Sequence, residues 1–111
     1  MEKKDIDWGN LGFGYVKTDY RYVSNYKDGK WDEGGLTTDD TVTISECAGV
    51  LQYAQTVFEG MKAYTTEDGR IVTFRHDLNG ERMEHSAARL EMPVFPEDRF
   101  VDADVQTNKA N

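Results

Sequence analysis

Few side chains in this 111-residue sequence have the type and spacing that chemistry requires. Cys47 is the single cysteine, and a thiolate nucleophile would need a base that only His76 or His85 could supply, so it reads as a buried thiol. Two histidines nine positions apart are not presented together by one helix, which argues against a metal pair. Asp39-Asp40 and Glu97-Asp98 lack the alternating oxygen ligands of a calcium loop and read as solvated faces. The sequence holds no Gly-rich phosphate loop, no Ser-His-Asp spacing and no nucleophile elbow. Arg75 has the clearest physical aptitude. Its guanidinium is always charged, carries a planar fork of donors suited to anions, and stands just ahead of Asp77, where a helix should present its positive end. On spacing alone, the plainer reading is a surface arginine paired with one of many acids.

The elements that would position these residues follow from periodicity. The first seven residues are charged and expected to fray. Tyr15, Tyr20, Tyr22 and Tyr26 lie mostly at even separations between Gly14 and Tyr26, which suits a strand with one packed face. Asp28-Gly29 is a hairpin signal, so Trp31 begins a returning strand that Gly34-Gly35 ends. Residues 37–45 fit a loop or a short strand. Ser45 is a candidate cap for a short helix from Ala48 to Tyr53, with Glu46 near its positive end. Val57 to Thr65 reads as a strand, with Gly60 where another group approaches the backbone. A turn at Glu67-Asp68-Gly69 returns the chain through Arg70 to Phe74.

Asp77 caps the clearest helix, whose stripe is Met83, Ala87 and Leu90, and Pro93 and Pro96 stop it. A last helix starts near Pro96 or Glu97 with an inward stripe of Val101, Asp104, Val105 and Asn108. Half of that stripe is polar, and a core-facing aspartate costs several kcal/mol unless paired. A chain cut from a longer one, with newly exposed apolar positions turned polar, would account for it.

Length predicts one domain spanning residues 1–111 that buries roughly 60 to 70% of its unfolded surface. Mean hydropathy is −0.73, yet aromatics make up 12% of the residues, which argues for a folded chain with a polar exterior. The net charge of −8 repels phosphate backbones and anionic lipid, so neither nucleic acid nor a membrane is an expected partner. No apolar run approaches the roughly 20 residues of a membrane span, the start is not signal-like, and a lone cysteine fits a reducing compartment. A cytoplasmic protein is expected.

One ordered set of residues goes further: Tyr53, Phe58-Glu59-Gly60-Met61-Lys62-Ala63-Tyr64, Phe74-Arg75, Leu78-Asn79, Glu81-Arg82-Met83, Ser86-Ala87, Arg89-Leu90 and Met92-Pro93. With a hairpin between its halves, this set resembles the cofactor-side signature of the branched-chain amino-acid aminotransferases, fold-type IV enzymes of amino-acid metabolism that use pyridoxal phosphate. The resemblance runs from Phe13-Gly14 to Asn111. It implies an α+β unit, an antiparallel sheet with helices packed against it, equivalent to the small N-terminal domain.

It also implies that Arg75 binds the cofactor phosphate. Phe58 and Gly60 would form a substrate-pocket wall, Phe13 another part of it, and Tyr53 would reach toward the neighbouring subunit of a homodimer. The complete enzyme would move an amino group between Leu, Ile or Val and 2-oxoglutarate. Its cofactor-bonding lysine belongs to a missing C-terminal domain. Lys62 lacks the context of that lysine, so this chain alone is expected to be inactive. Against the family pattern, His76 replaces a usual proline, Gly80 sits in the first helical turn, and Asp104 and Asn108 replace apparent valines. The alternative is a noncatalytic folding module or scaffold without a ligand.

Overall fold

The computed structural model describes residues 5–111; the fraying expected of the first seven residues falls, for residues 1–4, outside them. A short 3-10 turn at Trp8–Asn10 precedes six strands and three helices: β1 (Arg21–Val23), β2 (Tyr26–Lys27), β3 (Lys30–Trp31), β4 (Gly35–Thr37), α1 (Gly49–Tyr53), β5 (Ala63–Thr65), β6 (Ile71–Thr73), α2 (His76–Arg89) and α3 (Glu97–Ala110). The class is α+β and every strand pair is antiparallel, as expected. The strands are shared among three two-stranded ladders, β1 with β4, β2 with β3, and β5 with β6.

Turn chemistry explains the ladders. Asp28 and Gly29 both take positive φ, 53° and 81°, which matches the right-handed twist of the β2–β3 hairpin. Gly34-Gly35 does not end a strand. Gly34, at φ 71°, swings the chain back so that Gly35 pairs with Val23 and β4 forms on β1. Because β4 is three residues long, the expected strand from Gly14 finds no partner before Arg21, and Tyr15 stays exposed. Gly34 admits no side chain: a Cβ there would collide with the Tyr22 hydroxyl, which donates to Glu33 O at 3.0 Å. Gly34→Ala is expected to cost roughly 2–3 kcal/mol from left-handed strain and that lost bond, read as a lower urea midpoint. A midpoint within error of the parent would refute the turn geometry.

The strands dock on α3 and on the segment just before it through a few specific contacts. Trp31 packs edge-to-face on Phe95 with centroids 5.0 Å apart and donates Nε1–H to Val94 O at 2.8 Å. Arg99 lies over the Phe95 ring and donates to Asp32 O at 2.6 Å and Glu33 O at 2.9 Å. The Asp32 carboxylate accepts from the backbone of Asn25 and Gly34 and from the Ser24 hydroxyl. Those bonds, the Asn25 amide first, hold it below the usual carboxylate range.

α2 and α3 run antiparallel, with His76 opposite Asp104, Gly80 opposite Phe100 and Glu84 opposite Glu97. Gly80 is buried at this crossing, where a Cβ would lie 3.0 Å from Glu97 Cγ and 3.1 Å from Phe100 Cδ1. What looks in the sequence like a flaw in the first turn is a close-approach point. Two helix ends differ from expectation. Arg75, not Asp77, holds the N-cap position of α2, and Asp77 lies in the first turn. At the other end Glu91 takes the left-handed φ of 54°, Met92 N–H donates to Ala87 O and Glu91 N–H to Ala88 O, so a Schellman motif closes the helix before Pro93.

The polar stripe of α3 is also explained. The Asp104 side chain is only 8% exposed and is paired with His76 and Asn108, so its polarity is satisfied within the fold. Asn111 closes α3 against the hairpins, its amide exchanging two hydrogen bonds with the backbone of Tyr20.

The expected core does not close. The chain exposes 9074 Å², whereas a compact monomer of this mass exposes about 6,200 Å² and its unfolded chain about 18,000 Å². Only about half of the surface is buried. Among the described residues Ala87 is the one buried hydrophobic side chain, while Phe13, Tyr53, Phe58 and Phe74 are all more than four-fifths exposed.

Candidate functional site

The site is built around the N-terminal half of α2, and the segment before β5 is held to it by one acidic side chain. Glu59 accepts a fork from Arg82, Nε to Oε1 at 2.7 Å and Nη2 to Oε2 at 2.5 Å, together with the Asn79 amide at 3.0 Å. Asn79 also donates to Gly60 O at 3.1 Å. The Glu59 side chain is 5% exposed, and its carboxyl is held below the usual range chiefly by the Arg82 hydrogen bonds, against burial, which raises it. Because Glu59 and Gly60 pair with side chains of α2 and not with a strand, the expected strand shrinks to Ala63–Thr65.

This latch holds the Phe58–Gly60 segment on α2, with the Phe58 ring on the face toward which a Gly60 Cβ would point. The group that approaches the Gly60 backbone is the Asn79 amide, and beside Gly60 the space stays open: an added Cβ would meet only the Phe58 ring, at 3.9 Å. Phe58 itself is 88% exposed. Sequence reasoning missed Glu59 as an organising residue. The available signal was an acid set between Phe58 and Gly60, which needs a partner wherever it is buried.

Arg75 follows β6 after one residue, Phe74, and caps α2 with φ 48° and ψ 46°, a left-handed conformation that costs a residue with a Cβ about 1–2 kcal/mol. That backbone directs the chain into the helix, and the guanidinium sits by the positive helix end. It grips Asp77, Nε to Oδ1 at 3.0 Å and Nη2 to Oδ2 at 2.8 Å. The pair raises the arginine and lowers the aspartate. Both groups are largely solvated, so the ion pair is screened by water and a doubly charged anion could compete for the arginine. The surface-pair reading and the anion-site reading are therefore compatible in this geometry.

The remaining predicted residues are not gathered into one enclosed pocket. Tyr53 ends α1, where Ala54 turns left-handed at φ 51° and Gln55 donates to Leu90 O at 2.9 Å, tying α1 to the end of α2. Its ring, 86% exposed, points into solvent, as does Phe13 in the stretch before β1. Cys47 is exposed and not buried, because its loop turns on Ser45, whose Oγ accepts the Cys47 amide, and packs on no core. Ser45 thus caps a turn, and Ala48 holds the N-cap of α1.

Among the described residues no helix is long and apolar enough to cross a membrane. No family model matches the chain. A protein of Haemophilus influenzae named branched-chain-amino-acid aminotransferase is 55% identical over 108 residues, a match to 97% of this chain and 32% of the relative. One of the same name from Helicobacter pylori is 42% identical over the same shares. A methionine aminotransferase of Arabidopsis thaliana is 44% identical over 96% of this chain and 30% of its own length. The chain spans about a third of the length of the curated relatives it matches.

Proposed function

We propose that this chain is the small N-terminal domain of a branched-chain-amino-acid aminotransferase, and that it carries the phosphate-holding and substrate-shaping side of the active site without the cofactor-bonding lysine. The observation that carries the proposal is Arg75, solvent-accessible and fixed at the head of α2, one latch away from Phe58 and Gly60. Homology over 97% of the chain at 55% identity supports it.

The donor set fits pyridoxal phosphate. An arginine fork beside the first turn of a helix offers the charge and the amide donors that a phosphate monoester needs, and the exposed ion pair to Asp77 is cheap to exchange. When bound, that cofactor supplies an electron sink for the carbon that carries the amino group. This chain's part is binding and orientation: Arg75 holds the phosphate end, and the Glu59 latch holds Phe58 and Gly60 as a wall. Burial of a branched or thioether side chain against that wall contributes about 1.5–3 kcal/mol. Because a methionine aminotransferase matches this third of its length, the wall is proposed to select aliphatic length, with Leu, Ile and Val preferred through the rest of the enzyme.

Phe13 is assigned to the same pocket and Tyr53 to a dimer contact, and the remaining two-thirds of the protein would cover the exposed rings. The amino donors are branched-chain amino acids and the acceptor is 2-oxoglutarate. A cytoplasmic location belongs to the same proposal.

Titration with inorganic phosphate or pyridoxal phosphate should shift the Arg75, His76 and Asp77 amides saturably. Arg75→Gln should weaken that response roughly ten- to hundredfold, the loss of one charged hydrogen-bonding partner. Flat spectra would favour a ligand-free scaffold. Borohydride reduction with pyridoxal phosphate should give scattered partial lysine labelling and no turnover of leucine. A single stoichiometric adduct on Lys62 with turnover would overturn the assignment.

A further inference from the structure

A residue held in a left-handed conformation without being glycine persists only where its surroundings over-determine it. Arg75 has such surroundings on both sides. Two residues before it, Thr73 is paired with Ala63 in the β5–β6 ladder. One residue after it, the His76 ring is part-buried and its Nδ1 lies 2.6 Å from Asp104 Oδ2 on α3.

The other end of that contact is equally fixed. Asp104 Oδ1 accepts from Asn108 Nδ2 at 2.8 Å, and the same amide donates to the Asp104 carbonyl at 3.0 Å. The carboxylate, 8% exposed, thus has a partner for each oxygen and little freedom to turn. Asn108, Asp104 and His76 form one chain of contacts that runs from α3 to the residue next to Arg75. Nothing in the anion-holding geometry itself requires it.

We infer that Asp104, braced by Asn108, acts through the His76 ring as a positioning residue that holds Arg75 in its left-handed conformation and so aims its guanidinium at the anion site. The inference rests on the reading of Arg75 as the phosphate-holding residue. Without the contact, His76 and the start of α2 could swing as a unit and Arg75 would relax toward the right-handed region. The bound geometry would then be populated only part of the time, and apparent affinity falls in proportion to that population.

The test uses the 111-residue chain and two readouts. At positive φ the amide and α protons of one residue come close together, so Arg75 should give a strong intraresidue cross-peak in the wild type. In Asp104→Ala and in His76→Ala that peak should weaken to the level of ordinary residues, and the inorganic phosphate midpoint should rise roughly tenfold. Asp104→Asn, whose side chain can still accept from the ring and meet Asn108, should keep both. If Asp104→Ala fails to fold, His76→Ala decides, because it leaves the Asp104–Asn108 pair in place. A folded His76→Ala with an unchanged cross-peak overturns the inference, as does global unfolding of that variant, which would mark a general packing role. A wild type whose amides ignore phosphate would defeat the reading of Arg75 alone, while the cross-peak comparison still decides the positioning claim.

Discussion

Gly80→Val should lower the stability of this chain by about 2–3 kcal/mol, a large share of the total for a chain that buries only half its surface. Glycine inside a helix gives up to about 1 kcal/mol relative to alanine, so propensity alone predicts a gain on substitution. Packing reverses the sign. A Cβ at position 80 already lies 3.0 Å from Glu97 Cγ and 3.1 Å from Phe100 Cδ1, and the two further methyl groups of valine must displace the Phe100 ring or separate the helices. Gly80→Ala is the control. Its single carbon asks Glu97 and Phe100 to give by a few tenths of an ångström, which offsets the propensity gain and should leave stability within about 1 kcal/mol of the parent. Urea denaturation followed by Trp31 fluorescence reads both variants, and a valine variant as stable as the parent would rule out the close crossing of α2 and α3.

Arg82→Ala should also lower the urea midpoint, because it strands the Glu59 carboxylate with only Asn79 for a partner. Solvent moderates the loss, because the arginine head is itself 66% exposed. Arg82→Lys keeps the charge and loses the fork, so it should recover only part of the loss. The pH dependence has a definite sign. The folded Glu59 carboxyl sits below its ordinary value of 4.5, so its contribution is complete above the unfolded value and is lost as pH falls through the folded one. Asp32, Asp39, Asp40, Asp68 and Asp77 are lowered as well and add to the same acid-side loss. Glu59→Gln isolates the latch: its urea midpoint should fall less steeply than that of the parent from about pH 5 downward. Parallel slopes would mean that Glu59 is not engaged.

Local chemistry made much of this fold legible. Asp28-Gly29 marks the β2–β3 hairpin because both residues tolerate positive φ, and Gly69 marks the β5–β6 turn for the same reason. The two long helices follow from the apolar stripe of α2 and from Pro93 and Pro96, which separate it from α3. Strand lengths were less legible. Alternation from Gly14 to Tyr26 and apolar character from Val57 to Thr65 describe what could pair, but a strand extends only as far as its partner. β4 is short, and Glu59 and Gly60 are claimed by Asn79 and Arg82. Cys47 is exposed because hydrophobicity alone places a thiol inside only where there is an inside.

By itself, the sequence determined the β2–β3 and β5–β6 hairpins, the two long helices and a position for Arg75 at the head of α2, since each depends on residues within a few positions of one another, while the α+β class came with the family resemblance. Only the tertiary structure decided that Gly80 is a contact point, that Glu59 ties the Phe58–Gly60 segment to α2, and that Asp104 and His76, twenty-eight residues apart, share one hydrogen bond. Burial and pairing at such separations depend on how helices cross, and the free energy of a charged or missing side chain changes sign according to what the crossing places beside it.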